Sequence, residues 1–127
     1  MAQYLLLLHM APNYNTDLPR EQMLEMTKRY MAWADGLRQK GRLAGGEKLA
    51  AGGVRHIKTQ NGNPVVSDGP YAEAKDVIGG YFVIEAKDAA EAEATAKDCP
   101  HLSLGPTNWV EIRPIDDMTA MRAAAAS

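Results

Sequence analysis

Two segments of this chain are apolar on both faces of the strands they predict, and this limits the folds open to it. The segments "QYLLLLHM" at 3–10 and "GGYFVIEA" at 79–86 have strand length but lack the polar alternation of a half-exposed strand. Successive side chains of a strand point to opposite faces of its sheet, so both faces around these strands should be buried. One layer of helices covers only one face, and the second face needs another cover.

The remaining periodic segments complete a β-α-β, hairpin, β-α-β order. Helices are predicted at 18–41 and 87–99, and further strands at 42–53 and 107–115. In the first helix the apolar residues recur at three- and four-residue spacing: Met23, Met26, Tyr30, Ala34 and Leu37. We place Pro19 in its first turn, with Thr16 or Asp17 as the cap, and expect Asp88 to cap the second helix.

This order predicts an α+β fold, a ferredoxin-like split βαβ sandwich. Two βα units with right-handed crossovers form a four-stranded antiparallel sheet with two helices on one face. An inserted β-hairpin is predicted from Val54 to Ser67, because Asn61-Gly62 between two strand-like segments suits a turn that needs positive φ. The chain has no further element for the second face, so we expect a homodimer that packs through the uncovered sheet face.

Composition narrows the class of protein. A length of 127 residues suits one domain, which we place at 1–115, with a helical or frayed tail at 116–127. Hydrophobic content of 46% and charged content of 24% are ordinary globular values. The net charge of −2 predicts no nucleic-acid and no membrane partner. The single cysteine, Cys99, and the lack of a signal peptide or membrane span fit a cytoplasmic location.

The sequence lacks the motifs of several kinds of catalytic and binding site. None of the three histidines has metal-ligand spacing, no glycine pair leads into a phosphate-binding loop, and no serine elbow is present. We therefore predict no metal and no cofactor. The residue pattern still allows acid–base or carboxylate catalysis, with Asp68 as the central residue.

The loop "SDGPYAEAK" at 67–75 concentrates the polar candidates. Asp68 is either a turn residue that accepts backbone N–H groups or a site residue held by the rigid Gly-Pro that follows it. Glu73 and Lys75 are either a solvated pair or ligand contacts. Tyr71 packs onto a neighbouring helix or lines a pocket. We expect the Asp68 carboxylate to face inward beside Tyr30, His9 or Tyr71.

The sequence of this loop resembles the DGPF-domain branch of the YCII-related family. Asp68-Gly69-Pro70, Ala72, Glu73 and Lys75 match that branch's signature, while Tyr71, Ala74 and Asp76 replace Phe, Thr and Glu. The resemblance implies a ferredoxin-like domain that dimerises sheet to sheet as a dimeric α/β-barrel. Smaller members are suspected of using a His–Asp pair, whose histidine lies on the first helix. The matching position here is Tyr30, and His9 is placed to approach the same cleft from the first strand.

Two functions from different classes follow. One is an enzyme for a small molecule, with Asp68 and His9 as catalytic residues and Tyr30, Tyr71, Glu73 and Lys75 as binding residues. The other is a non-catalytic module that binds a ligand or regulatory partner. A buried Asp68 with a raised pKa would favour the enzyme, and an exposed Asp68 bonded within its own turn would favour the module.

Overall fold

A computed structural model describes residues 1–12, 18–69 and 74–127. The strands are β1 (Ala2–Met10), β2 (Leu43–Lys48), β3 (Arg55–Gln60), β4 (Asn63–Asp68), β5 (Val77–Ala86) and β6 (Trp109–Pro114). The helices are α1 (Arg20–Gln39), α2 (Ala89–Lys97) and α3 (Thr119–Ala126), with a 3₁₀ turn at Pro100–Ser103.

Four strands form one sheet in the order β2-β5-β1-β6, with every neighbouring pair antiparallel. β5 lies between β1 and β2, and β1 lies between β5 and β6, so each βαβ unit is split by a strand of the other. This is the ferredoxin-like order. The predicted α+β class and four-stranded antiparallel sheet are confirmed.

The hydrophobic core lies between this sheet and the two longer helices. On β1 the buried apolar residues are Tyr4, Leu6 and Leu8, while Leu5 and Leu7, on the opposite face, are only partly buried. The core side of the sheet packs against α1 and α2 through a cluster that also contains Leu37, Ile84, Ala86, Ala92 and Ala96. The second face of the sheet therefore carries leucines that the described chain covers incompletely.

The two long helices begin differently. The Asp88 side chain accepts a hydrogen bond from the Glu91 N–H at 2.9 Å, which confirms the predicted cap of α2. α1 begins at Arg20, so Pro19 precedes its first turn and makes no side-chain cap bond. The predicted caps Thr16 and Asp17 lie outside the described residues. In the described part of the chain no helix combines the length and hydropathy needed to cross a bilayer.

β3 and β4 form a separate two-stranded antiparallel sheet. Gln60 pairs with Asn63 across a two-residue turn in which Asn61 has φ 51° and Gly62 has φ 82°. These angles confirm the predicted positive φ at both turn positions. At the other end of the ribbon the Gly69 N–H donates to the Val54 carbonyl at 2.9 Å.

Candidate functional site

A cavity of about 340 Å³ opens between α1 and the core side of the sheet, where β1 ends and β5 begins. Helix α1 contributes Thr27, Tyr30 and Met31 to the wall of this cavity. Most of the remaining lining is apolar and comes from the ends of β1, β2 and β5, including Leu8, Met10, Leu49, Val77 and Phe82, with His101 from the 3₁₀ turn. A concave, mostly apolar space of this size suits a small organic ligand.

A tyrosine–histidine pair forms the polar part of this wall. The Tyr30 hydroxyl lies 2.7 Å from Nδ1 of His101, and His101 Nε2 lies 2.8 Å from the His9 carbonyl oxygen. A carbonyl oxygen only accepts, so Nε2 carries the proton and donates to it. In the neutral ring Nδ1 is then an acceptor, and the Tyr30 hydroxyl donates to it.

His101 is held as a neutral imidazole. Burial lowers its pKa from the ordinary value, and the nearby His9 adds to this, while the bond to the His9 carbonyl acts the other way. The ring is 1% exposed. At neutral pH the Nδ1 lone pair is therefore available to Tyr30.

Local chain chemistry places His101. Pro100 opens the 3₁₀ turn directly after α2, and the Asn108 side-chain amide donates to the His101 carbonyl at 3.1 Å. The turn and this bond hold the ring against the end of β1 and the middle of α1. The sequence signal was Pro100, which starts a rigid turn, but nothing local pointed to Tyr30 as the partner.

A second polar cluster lies on the opposite face of the sheet, around His9. Its ring stacks on the Trp109 indole with centroids 3.9 Å apart and planes 13° apart. Nε2 donates to Glu111 at 2.9 Å, and Nδ1 lies 3.6 Å from Asp76, whose carboxylate accepts from the Trp109 indole N–H at 2.8 Å. The hydrogen bond from His9 is the largest cause that lowers the Glu111 pKa. His9 thus links the two clusters, with its side chain in one and its carbonyl in the other.

A β-bulge in β5 lies beside His9. The register between β1 and β5 shifts between Leu8 and His9, where Gly79 is the extra residue of β5. A Cβ added to Gly79 would lie 2.2 Å from the Met10 sulfur, so a larger residue there would displace the Met10 side chain. Pairing of the two strands resumes after the bulge, at His9–Ile78 and Met10–Val77.

The described structure places the predicted site residues apart from one another. Asp68 ends β4, opposite Arg55 on β3, and the two side chains form an ion pair; the Asp68 side chain is 85% exposed. The expected inward orientation of Asp68 is therefore wrong, because its cross-strand partner holds it in solvent. Lys75 is exposed. Tyr71 and Glu73 lie outside the described residues. Tyr30 and His9 are joined through His101, and catalysis by Asp68 and His9 stays a prediction.

Residues that the sequence analysis did not select carry most of the observed geometry: His101, Asp76, Glu111 and Trp109. Trp109 and Glu111 alternate with apolar residues along β6, a pattern that assigns them to the uncovered face but not to His9. Asp76 follows the DGPF-like loop in sequence. Among residues 1–12, 18–69 and 74–127, no three His, Cys, Asp or Glu side chains are grouped to bind a metal ion.

The thiol of Cys99, next to this region, should be unreactive. Burial raises the pKa of its thiol to about 11, from 9.0. A thiol with a pKa of about 11 has about 100-fold less thiolate at neutral pH than one with a pKa of 9.0, and the thiolate is the reactive form. We expect iodoacetamide to label the native protein at least about 100-fold more slowly than the urea-unfolded chain at pH 8. Equal rates would contradict the buried position.

Together these features define a class: a small antiparallel α+β domain with a ligand-sized cavity between a helix and the core side of its sheet. The chain belongs to the YCII-related family, because the model of the YCII-related domain matches residues 2–118. This confirms the family resemblance drawn from the loop.

One solved structure with a similar chain path is 5-chloro-2-hydroxyhydroquinone dehydrochlorinase (TftG) from Burkholderia phenoliruptrix AC1100, in complex with 2,5-dihydroxybenzoquinone. The likeness covers 88% of this chain and 93% of that one, with 15% sequence identity and a TM-score of 0.45. A search of curated protein sequences found no significant match.

Proposed function

We propose that this protein, in the DGPF branch of its family, is an enzyme that moves a proton on a small, mostly apolar molecule. One observation carries the proposal: the hydroxyl of Tyr30, on the cavity wall, donates to a buried, neutral His101 whose tautomer is fixed by the His9 carbonyl. A hydroxyl on a cavity wall that donates to an imidazole can act as a general base. It takes a proton from a ligand while its own proton passes to the imidazole.

The proton would move in two linked transfers. A substrate C–H or O–H beside the Tyr30 oxygen gives its proton to that oxygen, while the hydroxyl proton of Tyr30 passes to Nδ1 of His101. The product is a substrate anion and an imidazolium. In the return step Tyr30 gives one proton to the same or another substrate atom, and the imidazolium gives its proton back to the Tyr30 oxygen, which completes an isomerisation. In an elimination the anion instead expels a leaving group, which takes the proton from Tyr30. His101 remains fixed during this exchange because Nε2 stays bonded to the His9 carbonyl.

The other walls of the cavity supply the environment. The apolar side chains exclude water, which strengthens the hydrogen bonds inside the cavity. Lys48, at the end of β2, is a cationic lining residue and is suited to stabilise a developing substrate anion. These features favour a small carbonyl compound with an acidic C–H as the substrate class.

Asp68 is not the general base in this mechanism. An exposed carboxylate in an ion pair with Arg55 has neither the burial nor the partners of a general base near neutral pH. The side chain of His9 acts as a positioning group in this proposal, because its stack on Trp109 fixes the strand end whose carbonyl holds His101.

We further propose a homodimer, in a dimeric α/β-barrel arrangement, through the sheet face that bears Leu5 and Leu7. Tyr81 and Val83 of β5 lie on the same face and are also only partly buried. Burial of apolar surface contributes roughly 25 cal/mol per Å², and monomers seldom leave a patch of this kind in water.

A non-catalytic binding module is the second function, and the exposed Asp68 favours it. In that case the cavity binds its ligand through the same Tyr30 oxygen, and no proton leaves the ligand. The two functions differ in one measurable event, the exchange of a ligand proton with solvent.

Proton exchange in D₂O tests the proposal. A panel of small carbonyl compounds is incubated with the protein, and the loss of α-proton signals is followed by ¹H NMR. We expect at least one compound to exchange, and Tyr30→Phe to slow that exchange by about 10²–10⁴-fold, the usual contribution of a general base.

Tyr81→Phe is the matched control, since it removes the same hydroxyl from the opposite face of the sheet and should leave the rate within about twofold of wild type. Binding without exchange would support the module instead. An equal rate in Tyr30→Phe and wild type would exclude Tyr30 as the base.

A further inference from the structure

The side chain of Asn108, directly before β6, contacts His101 at two atoms. Its amide nitrogen donates to the His101 carbonyl oxygen at 3.1 Å and lies 3.4 Å from Nδ1 of the His101 ring. An NH₂ group carries two hydrogens, so one amide can donate to both acceptors. Nδ1 also accepts from the Tyr30 hydroxyl at 2.7 Å, so two donors share its lone pair.

The surroundings of Asn108 determine the orientation of this amide. If its oxygen and nitrogen were exchanged, the amide oxygen would face the His101 carbonyl oxygen, and two acceptors cannot pair. In the orientation described, Oδ1 of Asn108 is buried and has no hydrogen-bond partner among residues 1–12, 18–69 and 74–127. The two contacts to His101 therefore fix the amide.

We infer that Asn108 is a positioning residue for the proposed proton transfer, which aims Nδ1 of His101 at Tyr30 and holds the ring in its neutral form. The inference rests on the proposed function, in which Nδ1 receives the Tyr30 proton. An amide N–H can donate only to an unprotonated Nδ1. Once Nδ1 carries a proton, two N–H groups face each other, so the contact stabilises the neutral ring.

The same contact favours return of the proton to Tyr30. The imidazolium has lost the Asn108 bond at Nδ1, while its Nδ1–H still has the Tyr30 oxygen as an acceptor. Transfer of that proton back to Tyr30 restores the donor from Asn108. In the described part of the chain Asn108 does not line the cavity, so it acts through His101 and not on the ligand.

The groups around His101 leave its charge sensitive to position 108. Titratable and charged side chains come from each element that packs against its turn: Tyr30 and Arg29 of α1, His9 of β1, Cys99 before the turn, and Glu111 and Arg113 on the far face of β6. The carboxylate in this set, Glu111, lies on the other side of the sheet. A carboxylate at position 108 would therefore place an anion against the ring.

Titration of the ring by NMR tests the inference without a substrate. The His101 ring nitrogens are followed by long-range ¹H–¹⁵N correlation as the pH is varied, and His101→Gln identifies their signals. In Asn108→Asp we expect the ratio of protonated to neutral His101 at pH 7 to rise at least about tenfold, because a carboxylate replaces the donor. Asn108→Ala removes the donor without adding a charge and should raise the ratio by less.

Asn63→Asp is the matched control, since it makes the same change at an exposed position of β4, and it should alter the ratio by less than about twofold. Near-UV circular dichroism checks that each variant is folded. If Asn108→Asp does not fold, the titration of Asn108→Ala decides. An unchanged His101 titration in the folded variants would overturn the inference and leave Tyr30 as the proposed base.

The proton-exchange assay in D₂O extends the test to the reaction. Exchange needs a neutral His101, so the rate lost in Asn108→Asp should be largest at low pH and should recover as the pH rises. A loss that is equal at every pH would indicate a structural role and overturn the inference. If wild type exchanges no compound, the proposed enzyme fails, and a shifted titration would still support the hold of Asn108 on the neutral ring.

Discussion

Replacing Leu6 by alanine is expected to lower the free energy of unfolding by about 2–5 kcal/mol. Leu6 is fully buried at the middle of the central strand β1, between Phe82 of β5 and Ile112 of β6. The substitution removes its apolar transfer free energy and leaves a cavity that close-packed neighbours fill only in part. Since domains are stable by about 5–15 kcal/mol, this is a large fraction of the total. Urea unfolding followed by circular dichroism measures it.

Leu24→Ala is the control, because it is the same substitution on the solvent side of α1, where Leu24 is 45% exposed. We expect a change within about 0.5 kcal/mol. Both variants are compared at one protein concentration, so that dimer formation affects them alike. A loss of less than about 1 kcal/mol for Leu6→Ala would mean that the strand faces are assigned wrongly.

The fold was accessible from the sequence because its signals are local. The Asn61-Gly62 turn and the Asp88 cap depend on a few neighbouring residues, and both were predicted. The unbroken apolar run of β1 hid which face was the core, since alternation could not separate Leu6 from Leu5. Only packing against the helices distinguishes them, and packing is a tertiary property.

The site was harder to predict from the sequence, because its contacts also depend on tertiary packing. Tyr30 and His101 are 71 residues apart, and their contact depends on how α1 and the 3₁₀ turn meet at one end of β1. Asp68 attracted the prediction because turn chemistry and charge coincide there. The cross-strand position of Arg55 accounts for that carboxylate without a ligand.

Removing His101 should destabilise the protein and change its response to acid. In His101→Ala the Tyr30 hydroxyl loses Nδ1 as an acceptor and the His9 carbonyl loses the donor at Nε2. A buried carbonyl that loses its donor costs about 1–3 kcal/mol. With the cavity left by the ring, we expect a loss of at least about 2 kcal/mol at pH 8. The same urea unfolding measures this change.

The acid response follows from the direction of the His101 pKa. Its folded pKa lies below the unfolded value of 6.5, so below that pH the unfolded chain binds the proton more readily than the folded chain. The stabilisation is complete above pH 6.5 and is lost as the pH falls toward the folded pKa, with a slope of at most about 1.4 kcal/mol per pH unit.

His101→Gln isolates this effect, because the glutamine amide keeps a donor for the His9 carbonyl and does not titrate. The difference in unfolding free energy between wild type and His101→Gln should therefore shrink as the pH is lowered from 8 through 6.5 and below, and level off once both states of wild type are protonated. The other ionisable groups are the same in both proteins, so their contributions cancel from the difference. A difference independent of pH would show that His101 is not held neutral, and Tyr30 would then lack the acceptor on which its proposed role as a base depends.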